Sequence, residues 1–81
     1  MPQTRTDNTE VYAEVAITLP VDKTFHYAIP AQFQSICEVG KRVLVPFGKR
    51  TITGYILQLS SHLPPDITGK DIKEIIDCLD E

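Results

Sequence analysis

The residues best suited to bind a charged ligand lie in one short run, Val-Pro-Phe-Gly-Lys-Arg at positions 45–50. A glycine that follows an aromatic residue lets the backbone approach a ligand closely, and the adjacent side chains of Lys49 and Arg50 can contact a phosphate. The same run is typical of an ordinary hairpin turn with charged residues for solubility, and on its own it favours that plainer interpretation. Phosphate contacts by Lys49 and Arg50 therefore stay a hypothesis that needs support from the rest of the chain.

Three further side chains could take part in such a site. Phe25 lies in a run that alternates like a β-strand, where an aromatic ring belongs to the core more often than to a platform on which bases stack. His26 follows it on the opposite face and is typical of a surface imidazole, and Lys73 is typical of a solvated lysine. Taken one at a time, these residues identify no function.

Motifs of catalysis and of metal binding are absent from the sequence. The chain has no G-x-x-x-x-G-K-[ST] loop, no H-E-x-x-H and no G-x-S-x-G. Its two cysteines, Cys37 and Cys78, and its two histidines lack the spacing of zinc ligands, and we interpret both cysteines as buried structural thiols rather than as a disulfide. We predict a non-catalytic chain that needs no cofactor of its own and binds no metal.

Length and charge limit the kind of partner. Eighty-one residues make at most one domain with a thin core, and the net charge of −3 is distributed unevenly. Residues 1–14 carry −2 and residues 74–81 carry −4, whereas residues 15–73 hold seven basic and four acidic side chains, or +3. A mildly basic body suits contact with a few phosphates or one terminal nucleotide and is too weakly charged to coat a duplex. With no signal sequence and no apolar run long enough to cross a bilayer, we expect a cytosolic chain without a membrane partner.

The pattern of apolar residues predicts a chain made mainly of strands. Residues 1–10 are polar without periodicity and predict a disordered tail, so the domain is expected over residues 11–81. Alternation with a period of two predicts strands at 11–19, 23–29, 42–47 and 51–59, with residues 48–50 as the turn of a hairpin. Weak patterning at 31–40 favours a turn or a single helical turn, and residues 60–70 predict a surface loop.

Two places in this pattern leave alternatives open. Gly54 interrupts the fourth strand and indicates a bulge or a close approach of another backbone. The apolar residues of segment 72–79 are spaced as in an amphipathic helix, which gives a helix a slight advantage, yet its β-branched isoleucines favour a strand. Short strands separated by proline and glycine turns predict a mainly β fold, a single-domain small β-barrel of the OB-like or SH3-like kind.

Several segments taken together carry a resemblance to a known family. They are V-A-I-T-L-P-V-D-K-T-F-H-Y at 15–27, V-G-K-R-V-L-V-P-F-G-K-R at 39–50, G-Y-I-L-Q-L at 54–59 and K-E-I-I-D-C-L-D at 73–80. In this combination residues 13–81 resemble the beginning of bacterial primosomal protein N′, the PriA-type replication-restart helicases. The resemblance is specific because the G-x-x-V-x-V-P-F-G run lies at a fixed distance from the preceding L-P and F-x-Y pairs.

The resemblance implies an OB-like β-fold whose pocket captures the 3′ end of a nascent leading strand with little base preference. Carried over by position, Phe25 would form a wall for the base or sugar, Gly48 would allow close backbone approach, and Lys73 would lie near the terminal phosphate or sugar. His26 stands where family members often have Asp, so we hypothesise that its imidazole keeps the hydrogen bond to the terminal nucleotide and that binding strengthens on acidification. A pocket residue at position 73 on a pleated edge also favours a strand over a helix for residues 72–79.

The same resemblance implies partners and a cellular context. The expected partners are a DNA fork with a 3′-hydroxyl leading-strand end, the remainder of the helicase chain, and primosome proteins, in the bacterial cytoplasm at the nucleoid. ATP, magnesium and zinc are expected only in the remainder of an ATP-dependent 3′–5′ DNA helicase. The alternative interpretation is a small β-barrel that binds a protein through exposed strand edges. A shallow cavity at Phe25, His26, Gly48 and Lys73 would favour DNA, and a long apolar groove elsewhere would favour a protein.

Overall fold

The computed structural model describes residues 10–67 and 72–79 and consists mainly of β-strands. The strands are β1 (Tyr12–Ile17), β2 (Phe25–Ala28), β3 (Arg42–Phe47), β4 (Arg50–Ser60), β5 (Lys73–Glu74) and β6 (Asp77–Cys78). Their order across the sheet is β5-β2-β1-β4-β3-β6, and the sheet curls into a half-barrel. One turn of 3₁₀ helix, Ala31–Phe33, follows β2 at the place where a single helical turn was expected. The predicted mainly β, single-domain fold is confirmed.

β1 and β2 form an antiparallel pair in which apolar residues alternate with polar ones. Val15 lies opposite Phe25 and Ala13 lies opposite Tyr27, so the aromatic side chains of β2 reach the same face as the buried residues of β1. His26 lies opposite Glu14 on the other face. The two faces predicted from the alternation are therefore confirmed.

β3 and β4 form the predicted hairpin around a two-residue turn. Phe47 pairs with Arg50, so only Gly48 and Lys49 lie in the turn, and β4 begins one residue earlier than expected. Gly48 has a φ of +61°, whereas Lys49 does not have a positive φ, which is the pattern of a type II′ turn with glycine at its first central position. The backbone conformation of the turn therefore depends on glycine at position 48.

Gly54 lies in β4 where β1 approaches it closely. A methyl group on Gly54 would overlap Cγ1 of Val15 and would lie 3.1 Å from the carbonyl oxygen of Ala16. The bulge of β4 is at Leu57, because Glu14 pairs with Gln58 whereas the next residue of β1 pairs with Ile56. The close approach predicted at Gly54 is confirmed, and the bulge lies three residues further along β4.

Residues 72–79 connect the two outer edges of the sheet. β5 pairs in parallel with β2, and β6 pairs antiparallel with β3. The backbone N–H of Ile75 donates to the carbonyl oxygen of Ala28 at 3.0 Å, and that of the next residue, Ile76, donates to the carbonyl oxygen of Leu44 at 2.7 Å on the opposite edge. The helix favoured by apolar spacing is wrong and the extended form is confirmed, because two unpaired sheet edges supply the hydrogen-bond partners that this segment needs.

The core lies inside the curled sheet. Its most deeply buried large side chains are Val15, Val43, Val45 and Ile56. Cys37, which follows the 3₁₀ turn, and Cys78 in β6 are both buried thiols that are not joined in a disulfide, as expected. The core is thus made of many aliphatic contacts, as expected for a small chain without tryptophan.

The remaining parts of the chain contribute little regular structure. Residues 61–67 form a loop without strands, as predicted. Residues 1–9 of the expected tail, together with residues 68–71 and 80–81, lie outside the described residues. Within the described ranges no helix is long and apolar enough to cross a membrane.

Candidate nucleic-acid interface

A cavity of about 690 Å³ opens between β2, the β3–β4 turn, the loop after β4 and the start of β5. Its walls are formed by thirteen residues: Lys23, Thr24, Phe25, His26, Tyr27, Pro46, Phe47, Gly48, Pro64, Asp66, Ile67, Ile72 and Lys73. This volume lies within the usual range of small-ligand sites. The cavity is therefore large enough to receive a molecule the size of a nucleotide.

The four residues predicted to form one pocket all line this cavity. Phe25 and His26 come from β2, Gly48 comes from the hairpin turn, and Lys73 comes from β5. The parallel pairing of β5 with β2 brings Lys73 to the site, because it sets Lys73 opposite Tyr27, two residues beyond Phe25. Residues separated by up to 48 positions in the chain thus meet at one opening.

Two aromatic rings form the apolar part of the wall. The centroids of Phe25 and Phe47 are 5.0 Å apart, and their planes meet at 74°, an edge-to-face contact. The Nζ atom of Lys23 lies 5.3 Å from the centroid of Phe25, within reach of a cation–π interaction. Both phenylalanine rings are half-buried, so each combines contact with the core and access to the cavity.

Gly48 exposes bare backbone at the rim. A Cβ atom added to Gly48 would meet no protein atom within 4 Å, so the space beside the turn is open. A ligand could use this space to approach the backbone more closely than any side chain would allow. This open space is compatible with the predicted role of Gly48 in close backbone approach, and that role stays a prediction.

Ionisable side chains give the cavity mixed charge. Lys23 and Lys73 contribute two ammonium groups, Asp66 contributes a carboxylate, and His26 contributes an imidazole. The Tyr27 hydroxyl donates a hydrogen bond to the carbonyl oxygen of Pro46 at 2.9 Å, and burial raises the pKa of this phenol. Tyr27 therefore holds the wall in place, whereas the lysines and Asp66 are the groups able to meet a charged ligand.

Lys49 and Arg50, the proposed phosphate contacts, are exposed and do not line the cavity. Lys49 is the second residue of the turn, and Arg50 begins β4. They could therefore contact only a part of a ligand that extends beyond the opening.

Sequence reasoning missed the contribution of the loop after β4. Pro64, Asp66 and Ile67 come from a segment that its prolines marked only as a surface loop, and no periodicity indicated which way it would fold. Phe47 could have been found, because it lies next to Gly48 in the run that was singled out. Among the described residues, no group of three or more His, Cys, Asp or Glu could hold a metal ion.

The fold and the cavity together define the class of the protein. A small curled sheet that offers half-buried rings, open backbone and ammonium groups around one opening is a β-module suited to bind nucleic acid. Residues 14–81 match the family model of the 3′ DNA-binding domain of PriA, and the chain belongs to this family.

The chain is also similar to short parts of longer curated proteins. The chain is 38% identical over 72 residues to the replication restart protein PriA of Bacillus subtilis, which covers 85% of this chain and 9% of that protein. It is also 38% identical over 71 residues to the replication restart protein PriA of Treponema pallidum, covering 85% of this chain and 11% of that protein. A third relative, from Synechocystis, is 32% identical over 74 residues and again matches over 9% of its length. The chain therefore spans about a tenth of the length of the curated relatives it matches.

Proposed function

We propose that the cavity receives the 3′-terminal nucleotide of a DNA strand, the nascent leading strand at a stalled replication fork. The observation that carries the proposal is the meeting of Phe25, His26, Gly48 and Lys73 at one opening of about 690 Å³. These residues provide an aromatic surface, a polar ring, open backbone and a cation, the groups that hold a nucleotide without demanding a particular base. Membership in a family of 3′ DNA-binding domains supports the choice of ligand.

The carboxylate of Asp66 should make the cavity prefer a DNA strand that ends in a free 3′-hydroxyl. A carboxylate accepts a hydrogen bond from a 3′-hydroxyl, whereas it repels the negative charge of a 3′-phosphate or of a continuing phosphodiester. Lys23 and Lys73 on the same walls can meet the phosphate on the 5′ side of the terminal nucleotide. Opposite charges within one cavity thus distinguish the end of a strand from its interior.

Binding by this chain alone is expected to be modest. One stacked or enclosed base contributes about 1 to 3 kcal/mol, and one or two phosphate contacts add a term that salt weakens. We expect the chain to act as one part of a replication-restart helicase in the bacterial cytoplasm, where the remainder of the protein binds ATP, magnesium and zinc. Primosome proteins and the fork itself are partners of that whole protein.

Fluorescence anisotropy with two labelled oligonucleotides tests the proposal. One strand ends in a 3′-hydroxyl and the other in a 3′-phosphate, and both are measured at low salt. We expect tighter binding of the 3′-hydroxyl strand and loss of this preference in Gly48→Ala and Lys73→Ala, because both changes alter the opening. Equal, weak binding of the two strands by the unaltered chain would reject the proposal.

Matched controls separate the cavity from general effects. Gly40 also has a positive φ, +93°, and open space around an added Cβ, yet it does not line the cavity, so Gly40→Ala should keep the preference. Lys49→Ala removes an exposed cation beside the cavity and should weaken binding of both strands equally. A preference lost in Gly40→Ala as well would indicate a folding defect rather than a contact.

The alternative, a module that binds protein, rests on a different surface. Tyr55, Leu57, Ile76 and Leu79 are exposed apolar side chains outside the cavity. Because the residues expected to contact DNA meet at the cavity and these apolar side chains lie outside it, we favour the cavity and its DNA ligand. Equal binding of the two oligonucleotides would favour the protein-binding alternative.

A further inference from the structure

A second, smaller cavity lies directly beside the first. Its volume is about 320 Å³, and it shares two wall residues, His26 and Pro64, with the larger cavity. Its remaining walls come from the outer face of β1, from the end of β4 and from the loop that follows. A strand whose last nucleotide fills the larger cavity could place its neighbouring nucleotide here by passing over His26.

A row of polar side chains forms the floor of the second cavity. His26, Glu14 and Gln58 are direct neighbours across β2, β1 and β4, because Glu14 pairs with both of the others. Opposed side chains in such pairs have Cβ atoms about 5 Å apart, so the row presents its groups side by side. The hydroxyl of Thr24, a wall residue of the larger cavity, donates a hydrogen bond to Oε2 of Glu14 at 2.7 Å and fixes the carboxylate between the two cavities.

The charge of this floor decides which part of a nucleotide can bind. The carboxylate of Glu14 repels a phosphate, and among the described residues no lysine or arginine lines this cavity, whose other ionisable walls are the imidazoles of His26 and His62. The carboxylate accepts hydrogen bonds from an amino group, and the amide of Gln58 both donates and accepts. The edge of a base satisfies these groups, and the sugar-phosphate backbone does not.

We propose that the second cavity holds the base of the nucleotide next to the 3′ end and prefers cytosine to thymine at that position. Cytosine offers its N4 amino group to Glu14 and its ring acceptor to Gln58. Thymine brings the O4 acceptor to the place of that amino group, where it meets the carboxylate unfavourably. This inference rests on the proposed function, because it needs the terminal nucleotide in the larger cavity.

Two strands that differ only in the base next to a 3′-hydroxyl test the inference by anisotropy with the whole 81-residue chain. We expect the strand with cytosine to bind about fivefold more tightly than the strand with thymine, the low end of discrimination by hydrogen bonds to a base. Glu14→Gln should abolish this difference, since a side-chain amide can donate to O4 of thymine as well as accept from cytosine. Glu38→Gln, the same change at an exposed residue outside both cavities, should retain it.

A second pair of variants guards against loss of folding at the half-buried Glu14. Gln58→Ala alters an exposed side chain of the second cavity and should also reduce the cytosine preference, whereas Gln32→Ala, exposed elsewhere, should not. Circular dichroism of each variant verifies the fold. The second site is supported if the cytosine preference is lost in both Glu14→Gln and Gln58→Ala and is retained in both control variants.

The 3′-hydroxyl and 3′-phosphate strands, measured on the same proteins, separate failure of this inference from failure of the proposed function. Equal binding of cytosine and thymine strands, with the preference for a 3′-hydroxyl intact, would overturn the second site alone. Absence of any preference for the 3′-hydroxyl would overturn both. A cytosine preference that Glu14→Gln leaves unchanged would likewise overturn the assignment to this cavity.

Discussion

Asp66 and Lys73 place opposite charges on one cavity, and the balance between them would select the ligand. Both residues follow β4, and neither lies in the hairpin run that is most conspicuous in the sequence. At the scale of single residues, the candidate site depends on one carboxylate, two ammonium groups, one imidazole and a turn without a side chain. Each of these groups can be changed without touching the core.

We predict that Asp66→Asn weakens the discrimination between strand ends. The neutral amide no longer repels a 3′-phosphate, so binding of the phosphate-ended strand should rise by about two- to fivefold, on the order of one exposed charge interaction. Binding of the hydroxyl-ended strand should fall only slightly, because the amide oxygen still accepts a hydrogen bond. Asp22→Asn changes the net charge equally at an exposed residue outside the cavity and should leave the ratio of the two affinities unchanged. An unchanged ratio in Asp66→Asn would remove Asp66 from the site.

At the scale of elements, the segment that contains β5 and β6 decides whether the site exists. Neighbouring residues Ile75 and Ile76 hydrogen-bond to opposite edges of the sheet, so the same few residues close the half-barrel and position Lys73. The two isoleucine side chains differ sharply in environment, since Ile75 is 3% exposed and Ile76 is 46% exposed. Substitution of these two adjacent isoleucines therefore compares the contribution of a buried side chain with that of an exposed one.

We predict that Ile75→Ala lowers the free energy of unfolding by about 2 to 5 kcal/mol, the usual cost of removing a buried isoleucine side chain. Ile76→Ala should change it by less than about 0.5 kcal/mol, because its side chain is exposed and the backbone hydrogen bond remains. Urea unfolding followed by circular dichroism measures both changes. Similar losses in the two variants would mean that Ile76 is covered, for instance by a partner in a dimer.

At the scale of the whole molecule, stability depends on a small aliphatic core with two thiols inside it. Burial, reinforced by the neighbouring Cys78 thiol and opposed by the positive charge of Lys41, raises the pKa of Cys37 to about 12. The folded chain therefore keeps this thiol protonated at pH values where an unfolded chain ionises it. Stability from this group is complete below the ordinary pKa of a thiol and is lost as the pH rises towards 12.

We predict that the midpoint of urea unfolding falls between pH 8 and pH 10.5 and that Cys37→Ala reduces this fall. Burial also raises the pKa of Tyr27, so part of the alkaline loss should persist in the variant. In the native chain at pH 8 Cys37 should react with a thiol reagent only as fast as the protein opens, because the thiol is buried and protonated. Rapid reaction of the native chain at pH 8 would be inconsistent with this account.

Much of the fold follows from the sequence, because an alternation of apolar residues with a period of two is a local property. It placed Val15, Phe25, Tyr27 and Val43 on inward faces, and the glycine at position 48 indicated the hairpin turn. Resemblance to a family added Lys73 to the candidate site. The hairpin, the four longer strands and the chemical types of the site residues needed no tertiary information.

Only the tertiary structure decided what segment 72–79 and the loop after β4 would do. The apolar spacing at Ile75 and Ile76 is compatible with a helix, and the chain is extended because two distant sheet edges, at Ala28 and Leu44, lack partners until this segment reaches them. Asp66 enters the cavity for a similar reason, since a loop takes its direction from the elements it covers. The local sequence pattern reflects the conformational preferences of residues that are close in the chain. Hydrogen bonds and charge interactions between remote segments form only when the sheet has curled and brought those segments together.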